Sequence, residues 1–237
     1  MTLAACRVAP AVLNSSPVTV VGSAIASPSP RVSSAAPMVT HSPPPTEAIT
    51  RLLGLLDALV LAPPHFDGYD RDLFPVWTDD DRDGCNTRFE VLIAEAVEPP
   101  TISGSCDLTG GMWRSPYDGV EVRDAAGVQI DHVVALAEAW YSGAYGWTTA
   151  RREQFANDLG EPWELTAVSP NINQAKAASD PATWLPPEPE AVCPYVEAWI
   201  GTKIRWGLTI DLQEQVALET LALRCEDSTM TMPIPVP

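Results

Sequence analysis

No aromatic residue occurs before Phe66, while all eight Trp, all five Tyr and all four Phe lie from there onward. A packed core forms only where bulky apolar side chains are dense enough to offset the entropy of ordering the chain. The partition therefore confines the fold to the chain after about residue 65. Residues 1–64 instead hold ten of the 24 prolines, among Ser, Ala, Thr and Val. Ser27-Pro28-Ser29-Pro30 and Pro43-Pro44-Pro45 read as an extended, disordered tether. Within it, Ile49, Leu52, Leu53, Leu56, Leu59 and Val60 recur at helical spacing, which predicts a short amphipathic helix over 46–61 docked on the domain. The expected limits are 1–64 for a signal remnant and linker, 65–226 for the folded domain and 227–237 for a frayed Pro- and Thr-rich tail.

Charge narrows the function. With 31 Asp+Glu against 14 Lys+Arg the formal net charge is −17, which argues against holding nucleic acid mainly by a basic face. It does not exclude an enzyme that meets phosphate through a bound metal. A hydrophobic content of 46% excludes a wholly disordered chain. No apolar run reaches 18 residues, so no membrane-spanning helix is coded.

Four of the five cysteines, Cys85, Cys106, Cys193 and Cys225, fall in the foldable part, an even number that fits two disulfides and an oxidising compartment. Three pairings are open, and modest local loops favour Cys85–Cys106 and Cys193–Cys225. The fifth ends Leu3-Ala4-Ala5-Cys6, which resembles the lipobox of bacterial lipoproteins. Only two residues precede that stretch, too few for a signal's basic and apolar regions. A lipid anchor at Cys6 thus goes with a start codon further upstream. Export, lipidated or free, is the expectation, with reduced thiols in a cytosolic protein as the alternative.

Residues 79–90, Asp79-Asp80-Asp81-Arg82-Asp83-Gly84-Cys85-Asn86-Thr87-Arg88-Phe89-Glu90, fit the spacing Asp-x-Asp-x-Asp-Gly-x5-Glu of a calcium loop. Asp79, Asp81 and Asp83 would wrap hard oxygens around Ca²⁺, Gly84 would make the sharp turn and Glu90 would close the site. Asn86 stands where a paired EF-hand loop carries an apolar residue, so a lone loop pinned at Cys85 is expected. The other reading is a solvated acidic turn. Between Asp67 and Pro99 ten acids face three bases, so without a cation this stretch repels itself.

The chemistry-bearing residues come next. Val128-Gln129-Ile130-Asp131-His132 reads as a short strand, followed by a helical pattern. Adjacent side chains at a strand end point to different faces, so Asp131 and His132 can serve a metal and a base around one phosphate. Further on, Leu165-Thr166-Ala167-Val168 reads as a strand, Ser169-Pro170 as a turn, and Asn173 and Lys176 share one face of the following helix. An Asn carbonyl is a hard ligand for Mg²⁺, and a lysine one turn on can meet phosphate. Strand, Asp-His, strand, then helix with Asn and Lys is the layout of the ββα-metal nucleases. Ala191–Leu208 and Leu212–Leu223 carry apolar stripes that read as packing faces.

Over residues 69–225 the chain resembles the secreted bacterial proteins of the HNH endonuclease superfamily, whose domain is akin to the C-terminal nuclease domain of GmrSD-type restriction enzymes. The resemblance rests on Tyr69-Asp70-Arg71, Trp77, Asp83-Gly84-Cys85-Asn86-Thr87-Arg88, Trp113 with Ser115-Pro116-Tyr117-Asp118-Gly119, and Ile130 through Trp140. It continues through Phe155-Ala156-Asn157-Asp158-Leu159, Ala167-Val168-Ser169, Asn173 and Lys176, Trp184-Leu185-Pro186-Pro187 and Arg205-Trp206-Gly207-Leu208. It implies an α+β fold, a ββα-metal (HNH, or His-Me finger) core elaborated with helices. Asp131 and Asn173 would hold one divalent metal, Mg²⁺ or Mn²⁺, and His132 would be the general base. Arg88, Arg114 and Lys176 would contact phosphate, and Glu138, seven residues after Asp131, would be a further ligand or a partner behind one. DNA is the expected substrate, RNA an open one, and the protein is expected to be a monomer. The chain departs from the family pattern at Glu164, where an Asn usually precedes the second strand's Leu; Asn157 and Asn171 are the nearby asparagines. Two other classes stay open. One is an inactive cell-surface calcium-binding or adhesion module on the same fold. The other is a cytosolic or phage-type HNH enzyme.

Overall fold

The computed structural model describes residues 49–225 and 228–231. Cys6, the tether and residues 46–48 of the expected helix lie outside the described residues. The N-terminal elements are β1 (Ile49–Arg51), α1 (Leu52–Leu56), β2 (Val60–Leu61), α2 (Thr87–Ala94), β3 (Thr101–Ser103), β4 (Asp107–Thr109), β5 (Trp113–Arg114) and β6 (Glu121–Val122). Then come β7 (Gln129–His132), α3 (Leu136–Tyr141), α4 (Thr149–Ala156), β8 (Leu165–Val168), α5 (Pro170–Lys176), α6 (Val192–Trp206), β9 (Thr209–Ile210), α7 (Leu212–Arg224) and β10 (Thr229–Thr231). Among the described residues the strands pair only two by two: β1–β10, β2–β9, β3–β4, β5–β6 and β7–β8. The class is α+β, as expected.

The pair that positions the site is β7–β8, antiparallel with Asp131 opposite Thr166 and His132 opposite Leu165. It is buried on both sides. Ile130, Leu165 and Ala167 pack into a smaller core with Val91, Leu92 and Trp113. Val133, Val168 and Ile172 join a larger core with Phe155, Trp199 and Trp206. A strand between two apolar cores carries its polar residues into low dielectric unless they find partners. Directly after β8, Ser169 caps α5 by accepting from the Ile172 amide, and Pro170 takes the first helical position, where its missing N–H is no loss. Strand, strand and helix thus follow in the expected order, with α3 and α4 inserted between the strands.

The folded body extends past both limits expected from composition. The helix predicted over 46–61 shortens to α1, whose Leu52 and Leu55 are buried in the larger core. Tertiary partners override the helical period on either side: β1 pairs with β10, and β2 runs parallel to β9. The β10 strand also falls within the tail expected to fray. The α6 helix ends in a left-handed turn at Gly207, φ 64°, which lets the Leu208 amide reach the Lys203 carbonyl at 2.9 Å.

Both disulfides are those favoured by loop length. Cys85–Cys106, with Cα atoms 5.0 Å apart, pins the acidic loop to the turn between β3 and β4. Cys193–Cys225, at 5.6 Å, ties the start of α6 to the end of α7. The second closes 32 residues of chain, so the unfolded-chain argument gives it about 3.5 kcal/mol. A Cys193→Ala/Cys225→Ala double variant is expected to lose about that much in urea unfolding. An unchanged midpoint would show that the bridge does not constrain the unfolded chain.

Candidate active site

Asp131 sits near the end of β7 and is only 4% exposed. Each of its carboxylate oxygens accepts one hydrogen bond. Tyr117 Oη donates to Oδ2 at 3.0 Å, and Lys176 Nζ donates to Oδ1 at 2.8 Å. Lys176 is 0% exposed and also donates to the His132 carbonyl at 2.9 Å. Burial pushes the Asp131 carboxyl up, and the ammonium and phenol pull it back. Asn173, three residues before Lys176, donates its amide to Gln129 Oε1 at 2.8 Å, which leaves its carbonyl oxygen available.

His132, 7% exposed, lies between Trp77 and Phe155, with ring centroids at 5.7 and 6.4 Å. Its Nε2 is 2.9 Å from the Ala156 carbonyl. A carbonyl only accepts, so Nε2 carries the proton and Nδ1 is left as the basic nitrogen of a neutral ring. Burial pushes the His132 pKa down to about 4, with nearby Arg71 and Lys176 adding to the shift. The ring is therefore neutral at pH 7, beyond the three-quarters expected of an unperturbed histidine. The neighbour of Ala156, Asn157, fixes this brace. Its amide donates to the Pro75 and Glu153 carbonyls and its Oδ1 accepts from the Thr78 amide.

Asp131, His132 and Asn173 line one cleft of about 390 Å³, together with Tyr69, Arg71 and Gln129. The other expected residues are used elsewhere. Lys176 lies beneath the cleft floor, held by Asp131 rather than presented to a phosphate. Arg88 donates to the Ala125 and Val128 carbonyls, both at 2.9 Å, and so braces α2 against the start of β7. Arg114 is exposed on the rim of a different cavity. Glu138 is buried on α3 and bonded to Lys203 Nζ at 2.7 Å, in a triad completed by Glu214 at 3.1 Å; it is neither solvent-facing nor among the residues lining the cleft. Glu164 is buried, and desolvation lifts its pKa to about 8. Its carbonyl accepts from the Val133 amide at 3.1 Å, one step past the β7–β8 ladder. Asp79, Asp81 and Asp83 gather carboxylate oxygens within 4.8 Å of one another on an exposed loop, with Glu90 in the first turn of α2. Tyr117, Gln129, Arg71 and the Ala156 carbonyl carried no expected role. Nothing local in the sequence signals Tyr117, Gln129 or the Ala156 carbonyl, because their partners lie 14 to 44 residues away.

The donor set of the cleft, one carboxylate and one amide oxygen, is the hard-oxygen chemistry that Mg²⁺ or Mn²⁺ takes. An ion there would share Asp131 with the Lys176 ammonium.

Residues 104–221, which contain Asp131, His132, Asn173 and Lys176, match the family described as GmrSD restriction endonucleases, C-terminal domain. The chain is also 41% identical over 193 residues to an uncharacterized secreted protein of Arthroderma benhamiae, an alignment covering 81% of this chain and 93% of that protein. The chain belongs to that protein's family. This relative is fungal, whereas the sequence resemblance pointed to bacterial proteins. No solved structure matches the chain.

Two outcomes test this member of the family. Removing one partner of a buried pair leaves an uncompensated charge, so Lys176→Met is expected to cost about 3–5 kcal/mol in denaturant unfolding. A loss below 1 kcal/mol would show that Asp131 does not depend on the ammonium. Second, burial raises Glu95 to about 7, Glu164 to about 8 and Glu214 to about 7. Their stability contribution is present below the unfolded carboxyl value and is lost as pH rises through 7–8. His132 has the opposite sign, losing stability as pH falls from about 6.5 toward 4. Three carboxyls outweigh one imidazole. The melting temperature is expected to be several degrees higher at pH 5.5 than at pH 8.5 in calorimetry.

Proposed function

We propose that this protein is an exported, divalent-metal-dependent endonuclease of the HNH type that hydrolyses phosphodiester bonds of DNA, with RNA as the second candidate substrate. The observation that carries the reading is the placement of His132, braced at Nε2 by the Ala156 carbonyl and lining one cleft with Asp131 and Asn173. In this reading Nδ1 takes the proton of the attacking water. Its low pKa keeps it unprotonated, yet makes it a weak base, so an electrophile at the phosphate is needed. Asp131 and Asn173 would hold the metal, which supplies that stabilisation of phosphate charge when bound. Arg71, on the cleft wall, is the exposed cation for a phosphate oxygen. The match to the GmrSD C-terminal domain supports a nuclease, and the two disulfides and the secreted relative support export. Among the described residues no helix is long and apolar enough to cross a membrane. A calcium ion on Asp79, Asp81 and Asp83 belongs to the same reading as a structural ion.

The test is nicking of supercoiled plasmid with Mg²⁺, Mn²⁺ or EDTA, with His132→Ala in parallel. Metal-dependent nicking that falls about 10²-fold or more in the variant is expected. Folded, disulfide-bonded protein that cleaves neither DNA nor RNA with either metal would sink the proposal.

A further inference from the structure

Gln129 lines the cleft and has no part in the reading above. It opens β7, two residues before Asp131, and alternate residues of a strand share a face. The α5 helix meets that face at two points. Lys176 donates to Asp131 Oδ1 at 2.8 Å, and Asn173, one turn earlier, donates from Nδ2 to Gln129 Oε1 at 2.8 Å. The position of Gln129 is itself fixed. It pairs with Val168 across the β7–β8 ladder, and Arg88 holds the carbonyl of the preceding residue, Val128, at 2.9 Å.

The two contacts do different work. Lys176 sets where α5 lies against the strand, but not how the Asn173 amide is turned about its last bond. An Asn side chain ends in two edges of similar size, one accepting and one donating. Only the carbonyl edge can hold a cation. Asn173 is half-buried, and among the described residues its one side-chain hydrogen bond is the bond to Gln129. That bond ties up the donating edge and leaves Oδ1 without a protein partner. The reverse sense, with Gln129 donating to Asn173 Oδ1, would spend the oxygen that a cation needs. What position 129 must supply is therefore an acceptor, on a side chain long enough to reach α5. We propose that Gln129 is a positioning residue, which turns the Asn173 carbonyl oxygen outward as a cation ligand beside Asp131. The proposal rests on the metal reading of the cleft.

The experiment titrates the full, disulfide-bonded chain with Mn²⁺ in the absence of nucleic acid, reading free Mn²⁺ by electron paramagnetic resonance. The acidic loop at 79–83 can take Mn²⁺ as well, so the cleft site is defined as the one that Asn173→Ala weakens. Partners that orient a metal ligand are commonly worth tenfold or more in affinity. Gln129→Met, close in length and without an acceptor for the amide, is expected to weaken the cleft site about tenfold. Gln129→Glu, which can only accept, is expected to hold it at or above the parent's affinity. In the Asn173→Ala background both substitutions are expected to change nothing further, because their effect runs through Asn173. A merely structural role would not give rescue by the glutamate that disappears with Asn173. Unchanged affinity in Gln129→Met, failure of Gln129→Glu to restore it, or equal effects with and without Asn173 would overturn the proposal. If the parent still nicks plasmid with metal, those results remove the positioning role alone. A parent with no Mn²⁺ site sensitive to Asn173 would remove both the positioning role and the metal assignment.

Discussion

The site is organised around the ammonium of Lys176 held between the Asp131 carboxylate and the His132 carbonyl. Two apolar cores flank β7 and its partner strand, and Lys176 is 0% and Asp131 4% exposed, so each charge depends chiefly on the other. That one contact sets the depth at which α5 lies against the strand pair, and thereby the placement of Asn173 one turn earlier. Tyr117 extends it to the segment between β5 and β6. The protein meets the same problem again at Lys203, also wholly buried, which Glu138 and Glu214 flank. Two of its scarce cations are therefore committed to the interior.

This commitment bears on how an acidic protein meets a polyanion. The formal charge of −17 counts every carboxyl as ionised. Glu95, Glu164 and Glu214, with pKa values lifted to about 7–8, hold protons for part of the time at neutral pH. The charge that approaches a nucleic acid is less negative than the formal sum. With Lys176 and Lys203 buried and Arg88 bound to carbonyls, few cations remain to displace counterions. Recognition then depends on the cleft's few groups and on contacts other than a basic face.

The strand pair and α5 were legible because their signals are local: β-like runs, a Ser-Pro helix start and an i,i+3 pair on one face. The same logic explains the disulfides, where short loops select the pairing. It fails wherever a side chain's partner is distant in sequence. Spacing put Lys176 on the same face as Asn173 but could not give its depth, and Asp131 is 45 residues away. Glu138 was open to two readings until Lys203, 65 residues on, claimed it. The helical period at Leu52–Val60 was genuine, yet strands supplied from residues 209–210 and 229–231 outcompeted it on both sides. Tyr117 and the Ala156 carbonyl have no local pattern at all.

The Ala156 brace gives the segment between β7 and β8 an unusual status. A connection that long between paired strands would ordinarily tolerate gain or loss of residues. Here its second helix ends on the carbonyl that fixes the tautomer of His132. Each residue added to or removed from α4 would turn that end by about 100°. The carbonyl would then aim elsewhere, and the ring would lose the partner that decides which nitrogen bears the proton. The α4 helix acts as a gauge block, so the inserted segment is free to change in composition along its solvent side but not in length.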